Sequence, residues 1–223
     1  SHMQRFLKLE KTIGVTFTNK KLLETAFVHK SYVNESSKPN LKDNERLEFL
    51  GDAVLELIVT EYLYNNFDEP EGELTNWRSA LVKGERLAEI ADELELGSYL
   101  YLSRGEKKSG GEKKNYILAN TVEALLGAIY MDQGYECSRD FVTRHVIRHL
   151  DEIIEKGLHR DSKSHFQEMA QEKLGITPEY RVLSQTGPDH RKTFTMGAFL
   201  KEEHIGTGTG SSKQIAEQAA AAD

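Results

Sequence analysis

The chain has 223 residues, is 38% hydrophobic and carries a formal charge of −7 with a pI near 5.7, a size that suits two small domains better than one large core. No apolar run nears the ~20 residues of a membrane span and no secretion signal opens the chain, so no membrane association and a cytoplasmic location are expected; the lone Cys137 excludes a disulfide framework or a multi-cysteine zinc site. The acidic balance argues on bulk electrostatics against a nucleic-acid partner, so such a function must rest on local placement of charge. Carboxylates gathered around divalent cations would lower the net charge without barring a polyanion.

Taken in chain order, Ser1, His2 and Met3 read as a cleavage scar followed by a start methionine and carry no fold expectation. From Leu7 to about Glu155 the apolar residues recur at helical spacing, which predicts an all-α domain over 4–155. Its helices fall at 19–29, 44–66, 75–93, 115–133 and 137–156, with a basic, glycine-rich loop over 103–114. Residues 156–162 are polar, contain Gly157 and separate two different periodicities, as a linker does. Over 163–223, a short amphipathic helix bearing Phe166, Met169, Ala170 and Leu174 precedes strands at 179–185, 192–200 and 203–210. In the middle strand Phe194, Met196, Ala198 and Leu200 alternate with Thr193, Thr195, Gly197 and Phe199. An alanine-rich helix from about Ser211 follows, without large apolar anchors. Helix, three strands and helix within ~60 residues predict a two-layer α+β module (αβββα) with both helices on one sheet face.

The strongest chemical signal is Glu45-Arg46-Leu47-Glu48-Phe49-Leu50-Gly51-Asp52. At ~100° per residue, Glu45, Glu48 and Asp52 fall within an arc of about 60°, while Leu47, Leu50, Val54, Leu57 and Ile58 take the opposite side. An acidic helix face is most often merely solvated. Here, however, like charges stacked at i,i+3 and i,i+4 call for a compensating cation, and Gly51, costly by ~1 kcal/mol inside a helix, marks a close approach to the backbone. A second helix repeats the device, with Asn120 and Glu123 on one face, Leu118, Val122 and Leu125 on the other, and small Ala124 and Gly127 beside the polar pair. Together the two helices offer oxygen ligands to hard cations such as Mg²⁺. Phe49 sits about 40° from Glu45 on the wheel, beside the carboxylates, and wants either a neighbouring helix or a partner surface.

These two motifs, with Ala26-Phe27-Val28-His29-Lys30-Ser31-Tyr32, Glu71-Gly72-Glu73-Leu74 and Gly105-Glu106, resemble the ribonuclease III family. The resemblance covers nearly the whole chain. It implies that Glu48, Asp52, Asn120 and Glu123 ligate Mg²⁺, with Mn²⁺ the expected substitute, that Asp52 and Glu123 are central to catalysis, and that Glu45 and Glu71 are supporting carboxylates. It further implies a homodimer through the nuclease domain with Phe49 as a contact, each subunit cutting one strand of double-stranded RNA. Products with 5′-phosphate and 3′-hydroxyl ends and two-nucleotide 3′ overhangs would follow, in rRNA and mRNA processing. The chain departs from the family at Asn120, where aspartate is usual. The neutral amide should weaken metal binding, leaving two readings open: an active enzyme, or a catalytically impaired double-stranded-RNA-binding protein of the same fold.

The C-terminal segment resembles a double-stranded-RNA-binding domain through Phe166-Gln167-Glu168, Gly187-Pro188-Asp189-His190 and the run from Gly208 to Glu217. The resemblance implies RNA contacts by Gln167, Glu168, His190, Ser212 and Lys213. Gln167 can donate and accept at 2′-hydroxyls, His190 on a proline-set turn can reach a second minor groove, and Lys213 opens a helix whose free N–H groups favour phosphate. Seven Lys/Arg against eight Asp/Glu over 162–223 predict modest affinity and a shallow salt dependence for this module.

Overall fold

In the computed structural model, which describes residues 2–157 and 162–223, the helical spacing of the first portion becomes a bundle of α-helices. In chain order these are α1 (His2–Ile13), α2 (Lys20–Thr25), α3 (Lys30–Glu35), α4 (Glu45–Asn66), α5 (Glu71–Val82), α6 (Gly84–Glu93), α7 (Arg104–Lys108), α8 (Asn115–His145) and α9 (Leu150–Lys156). Helices α4 and α8 pack along each other at the centre, with α6 also against α8. Leu55, Ile58 and Leu63 of α4 and Leu125, Ile129 and Phe141 of α8 are fully buried. Leu9 and Ile13 bring α1 into the same core, where Phe6, Phe27 and Tyr99 form a ring cluster at 5.9–6.2 Å.

Several boundaries differ from the sequence-based expectation. His2 and Met3, set aside as a scar, lie within α1. The helix expected over 75–93 is two, because Lys83 is extended (φ −62°, ψ 150°) and serves as C-cap of α5 and N-cap of α6. The apolar phase runs unbroken through Trp77, Ala80, Leu81, Leu87, Ala88 and Ala91, so periodicity alone does not reveal the break. Conversely, 115–133 and 137–145 join into α8, kinked at Gly134 (φ 85°, ψ −169°); the true break comes at Val146. The loop over 103–114 contains α7 and a 3-10 turn at Gly111–Lys113. Leu57, placed on the core side, is 58% exposed.

The second unit comprises α10 (Ser162–Leu174), β1 (Glu179–Thr186), β2 (Thr193–Leu200), β3 (Glu203–Gly210) and α11 (Lys213–Ala222), with the strands antiparallel in the order β1-β2-β3. Its core is Met196, Ala198, Ala216 and Ala220, joined by Phe166, Tyr180 and Phe194. The alanine-rich helix needs no large anchors because it lies close on glycines: a Cβ on Gly208 would stand 2.2 Å from the Ala220 nitrogen, and one on Gly206 2.4 Å from the Ala220 oxygen. Met169 and Leu174, expected on the buried face of α10, are exposed, while Ala170 is buried. On the other sheet face Phe199 is also covered, under the Arg181 guanidinium and stacked on His204. Of the linker expected over 156–162, residues 158–161 lie outside the described residues. Lys156 ends α9, and Gly157 caps it in the left-handed conformation (φ 64°).

Candidate active site

Two helices build the site, and two glycines set how closely they meet. A Cβ on Gly51 would fall 1.6 Å from the Glu123 carbonyl oxygen, and one on Gly127 2.2 Å from that of Leu47. Backbone therefore rests on backbone, and the close approach that justifies Gly51 is made by α8. The start of α4 is fixed independently: buried Asn44 donates its side-chain amide to the Ala26 carbonyl and its N–H to that of Val28, both at 2.9 Å.

Between the helices opens a cleft of ≈400 Å³ lined by Glu45, Glu48, Phe49, Asp52, Asn120 and Glu123. The four residues expected to ligate metal thus share one cleft, with Glu45 and Phe49 at its walls. Phe49 is 83% exposed, so it does not pack against a neighbouring helix. Glu71 is not among the lining residues; it sits in the first turn of α5 and accepts the Thr75 hydroxyl at 3.0 Å.

The electrostatics are those of crowded carboxylates. Burial, a hydrogen bond shared with Asp52 and the negative charges of Asp52 and Glu48 push the Glu123 carboxyl up to about 8. Burial, then Glu45 and Asp52, also raise Glu48. As placed, no three His, Cys, Asp or Glu side chains among the described residues converge closely enough to hold an ion. Repulsion among these carboxylates favours a proton on Glu123, the most strongly raised of them. The donor set, carboxylates and one amide without sulfur or imidazole, suits a hard cation of the Mg²⁺ or Mn²⁺ kind.

A side cavity of ≈140 Å³ shares Glu45, Glu48 and Asn120 with the cleft and adds His29, Lys30, Asn44, Tyr116 and Ile117. Sequence reasoning quoted His29 and Lys30 only within a motif and gave them and Tyr116 no role. The His29 Nδ1 accepts the Ser31 N–H at 3.2 Å, and the Ser31 hydroxyl accepts the Ser103 N–H at 3.0 Å, which ties this wall to the loop before α7.

In the second unit, Gln167 and Glu168 are exposed on α10, and His190 is exposed in the turn between β1 and β2. There Gly187 is left-handed (φ 94°), and the Arg191 N–H donates to the Pro188 carbonyl at 2.8 Å. Ser212 caps α11 by accepting the Ile215 N–H at 3.2 Å, and Lys213 lies exposed in the first turn.

Fold and site together define a helical domain with a carboxylate-lined cleft, followed by an αβββα module. Comparison with known proteins carries this further. Residues 19–150 match the family model for Ribonuclease-III-like domains, and residues 162–223 that for the double-stranded RNA binding motif. Ribonuclease 3 of Oceanobacillus iheyensis is 47% identical over 96% of this chain and 93% of its own length. That of Enterococcus faecalis is 43% identical over 96% and 93%. Among solved structures, a nuclease domain of ribonuclease III from Campylobacter jejuni, described for flexibility in the region involved in its dimer formation, is 41% identical. It superposes with a TM-score of 0.59 over 63% of this chain and 95% of its own. The chain belongs to the ribonuclease III family of endoribonucleases. Its second unit is a double-stranded-RNA-binding domain, and no helix among the described residues is long and apolar enough to cross a membrane.

Proposed function

We propose that this chain, as a cytoplasmic homodimer, cuts double-stranded RNA by Mg²⁺-dependent hydrolysis, with Mn²⁺ able to substitute. Products carry 5′-phosphate and 3′-hydroxyl ends with two-nucleotide 3′ overhangs, and the substrates are structured precursors of rRNA and mRNA. The observation that carries the reading is the cleft itself, which Glu48, Asp52, Asn120 and Glu123 line from two helices and where burial and neighbouring carboxylates raise the Glu123 carboxyl to about 8. These four residues would hold the cation. The chemistry a divalent cation supplies is polarisation of the phosphodiester and activation of the attacking water. Glu123, its carboxyl raised by burial and by neighbouring Asp52 and Glu48, would have to give up its proton to serve as an anionic ligand. Glu45, at the junction with the side cavity, orients the strand or the hydration shell, and Glu71 is assigned a supporting role outside the cleft. Gln167, Glu168, His190, Ser212 and Lys213 contact the duplex by shape.

A second reading, a double-stranded-RNA-binding protein with impaired cleavage, draws on one observation: Asn120 lines the cleft with an amide beside the carboxylates of Glu45, Glu48, Asp52 and Glu123. One experiment separates the two. An end-labelled ~30 base-pair RNA, of the order of the ~16 base pairs such a module spans plus a nuclease site, is incubated with and without Mg²⁺. The native chain runs beside Asn120→Asp and Glu123→Gln. Cleavage by the native chain, abolished in Glu123→Gln, is the expected result. No cleavage until Asn120→Asp restores it would establish the second reading.

A further inference from the structure

Away from the cleft, a cavity of ≈330 Å³ opens between α2 and the loop that leads into α4. Three lysines line it, Lys21, Lys38 and Lys42, against a single carboxylate, Glu24. In a chain of net charge −7 this is a marked local reversal of sign. Among the described residues none of the three ammonium groups forms an ion pair or hydrogen bond. Asn40 holds a left-handed backbone (φ 66°) between Lys38 and Lys42, and the turn it makes leaves both lysines on the same hollow. Like charges around a hollow repel one another, and an anion seated between them relieves that cost.

The cavity is lined by residues that neighbour those of the cleft along the chain. Val28 lines it, and the Val28 carbonyl is the group that accepts the Asn44 N–H. The next two residues, His29 and Lys30, line the side cavity, which in turn shares Glu45, Glu48 and Asn120 with the cleft. Lys42 and Glu45 are three residues apart, so their Cα atoms lie within ~11 Å. Lys42 is thus within reach of a backbone phosphate a few nucleotides from a scissile group held in the cleft.

We propose that the cavity of Lys21, Lys38 and Lys42 anchors a backbone phosphate of the RNA duplex, positioning the strand without reading its sequence. The site rests on the double-stranded-RNA reading above, and it adds phosphate affinity on the nuclease domain to the modest affinity expected of the near-neutral second domain. The occupant is a substrate phosphodiester rather than a free phosphate because Lys42 stands within ~11 Å along the chain of Glu45, which lines the cleft.

The test compares the native chain with the triple variant Lys21→Gln, Lys38→Gln, Lys42→Gln and with the matching triple arginine variant. Duplex binding is measured in EDTA across a salt series, cleavage kinetics in Mg²⁺, and pyrophosphate binding by calorimetry. The glutamine variant should melt with the native chain, since all three side chains are exposed. Its duplex affinity at low salt should fall about tenfold, its slope of log affinity against log salt should be shallower by about one, and KM should rise with kcat held within about twofold. Arginine should restore all three. A glutamine variant with native affinity and slope overturns the site, as does one that loses only pyrophosphate binding, which would assign the cavity to a free phosphate. A native chain that fails to bind the duplex at all brings down the double-stranded-RNA reading and the site with it. Native binding unmoved by the substitutions brings down the site alone.

Discussion

Burial and the neighbouring carboxylates make an ionised Glu123 costly in the fold. Its carboxyl, raised to about 8, keeps a proton in the folded chain that an unfolded glutamate loses near pH 4.3. Between those values the folded state binds more protons than the unfolded state, so metal-free stability falls as pH rises through that window. In EDTA the native chain should therefore melt at a lower temperature at pH 9 than at pH 6. Glu123→Gln, which keeps the shape and removes the titration, should flatten that dependence and melt several degrees above native at pH 9, at roughly 2–4 °C per kcal/mol for a chain of this size. Mg²⁺ should raise the native melting temperature more at pH 9 than at pH 6, because a ligand that has already lost its proton binds the ion more tightly. Identical pH dependence in the two proteins would show that the Glu123 proton plays no part. The same crowding gives Asn120 a physical meaning: a neutral amide spares the cleft one more negative charge, which eases folding and weakens the hold on a cation.

Helices α4 and α8 carry the site on a backbone contact, so their separation should be the most sensitive dimension of the enzyme. Gly51→Ala sets a Cβ where the Glu123 carbonyl stands, and neither backbone can yield without moving Glu123. We expect a loss of roughly 1–3 kcal/mol in urea unfolding, as for other overpacked contacts. Cleavage should fall about 100-fold, since a shift of ~1 Å in a catalytic group costs that much. Gly72→Ala, where the added Cβ meets nothing within 4 Å, should instead gain up to ~1 kcal/mol and leave cleavage intact. Full activity in Gly51→Ala would mean the helices have slack that the geometry denies. This pair of helices also shows what the chain discloses before folding. The stripe of Glu45, Glu48 and Asp52 and the pair Asn120 and Glu123 were legible because each lies within one helix, where spacing is geometry. The three strands were legible for the same reason. The break at Lys83 was hidden, since the apolar phase of α5 continues into α6, and α1 was not singled out as a helix although the helical spacing was read from Leu7 onward. Lys30 and Tyr116 beside the cleft were not legible either, because their place depends on the long-range bonds of Asn44 to Ala26 and Val28.

At the scale of the whole molecule, one chain leaves an apolar face uncovered. Phe49 is 83% exposed and Leu57 58% exposed, and with Ala53 between them they form an i, i+4, i+8 stripe along α4. Tyr64 (79%) and Met131 (62%) are exposed as well. Burying Phe49 and Leu57 alone would release on the order of 3–6 kcal/mol of apolar transfer energy, a sizeable share of what micromolar association requires. Because Phe49 also lines the carboxylate cleft, a second copy seated on this stripe would border the active site and bring two clefts toward one duplex. Such a homodimer would link this face to cutting both strands. Sedimentation at micromolar concentration should show the native chain as a dimer and Phe49→Asp as a monomer with an unchanged helical circular-dichroism spectrum, since an exposed position tolerates the charge in the isolated fold. The monomer should still bind the duplex through its second domain while double-strand cutting falls steeply. A native chain already monomeric at that concentration, or a monomeric variant that cuts both strands at the native rate, would break the link between this face and catalysis.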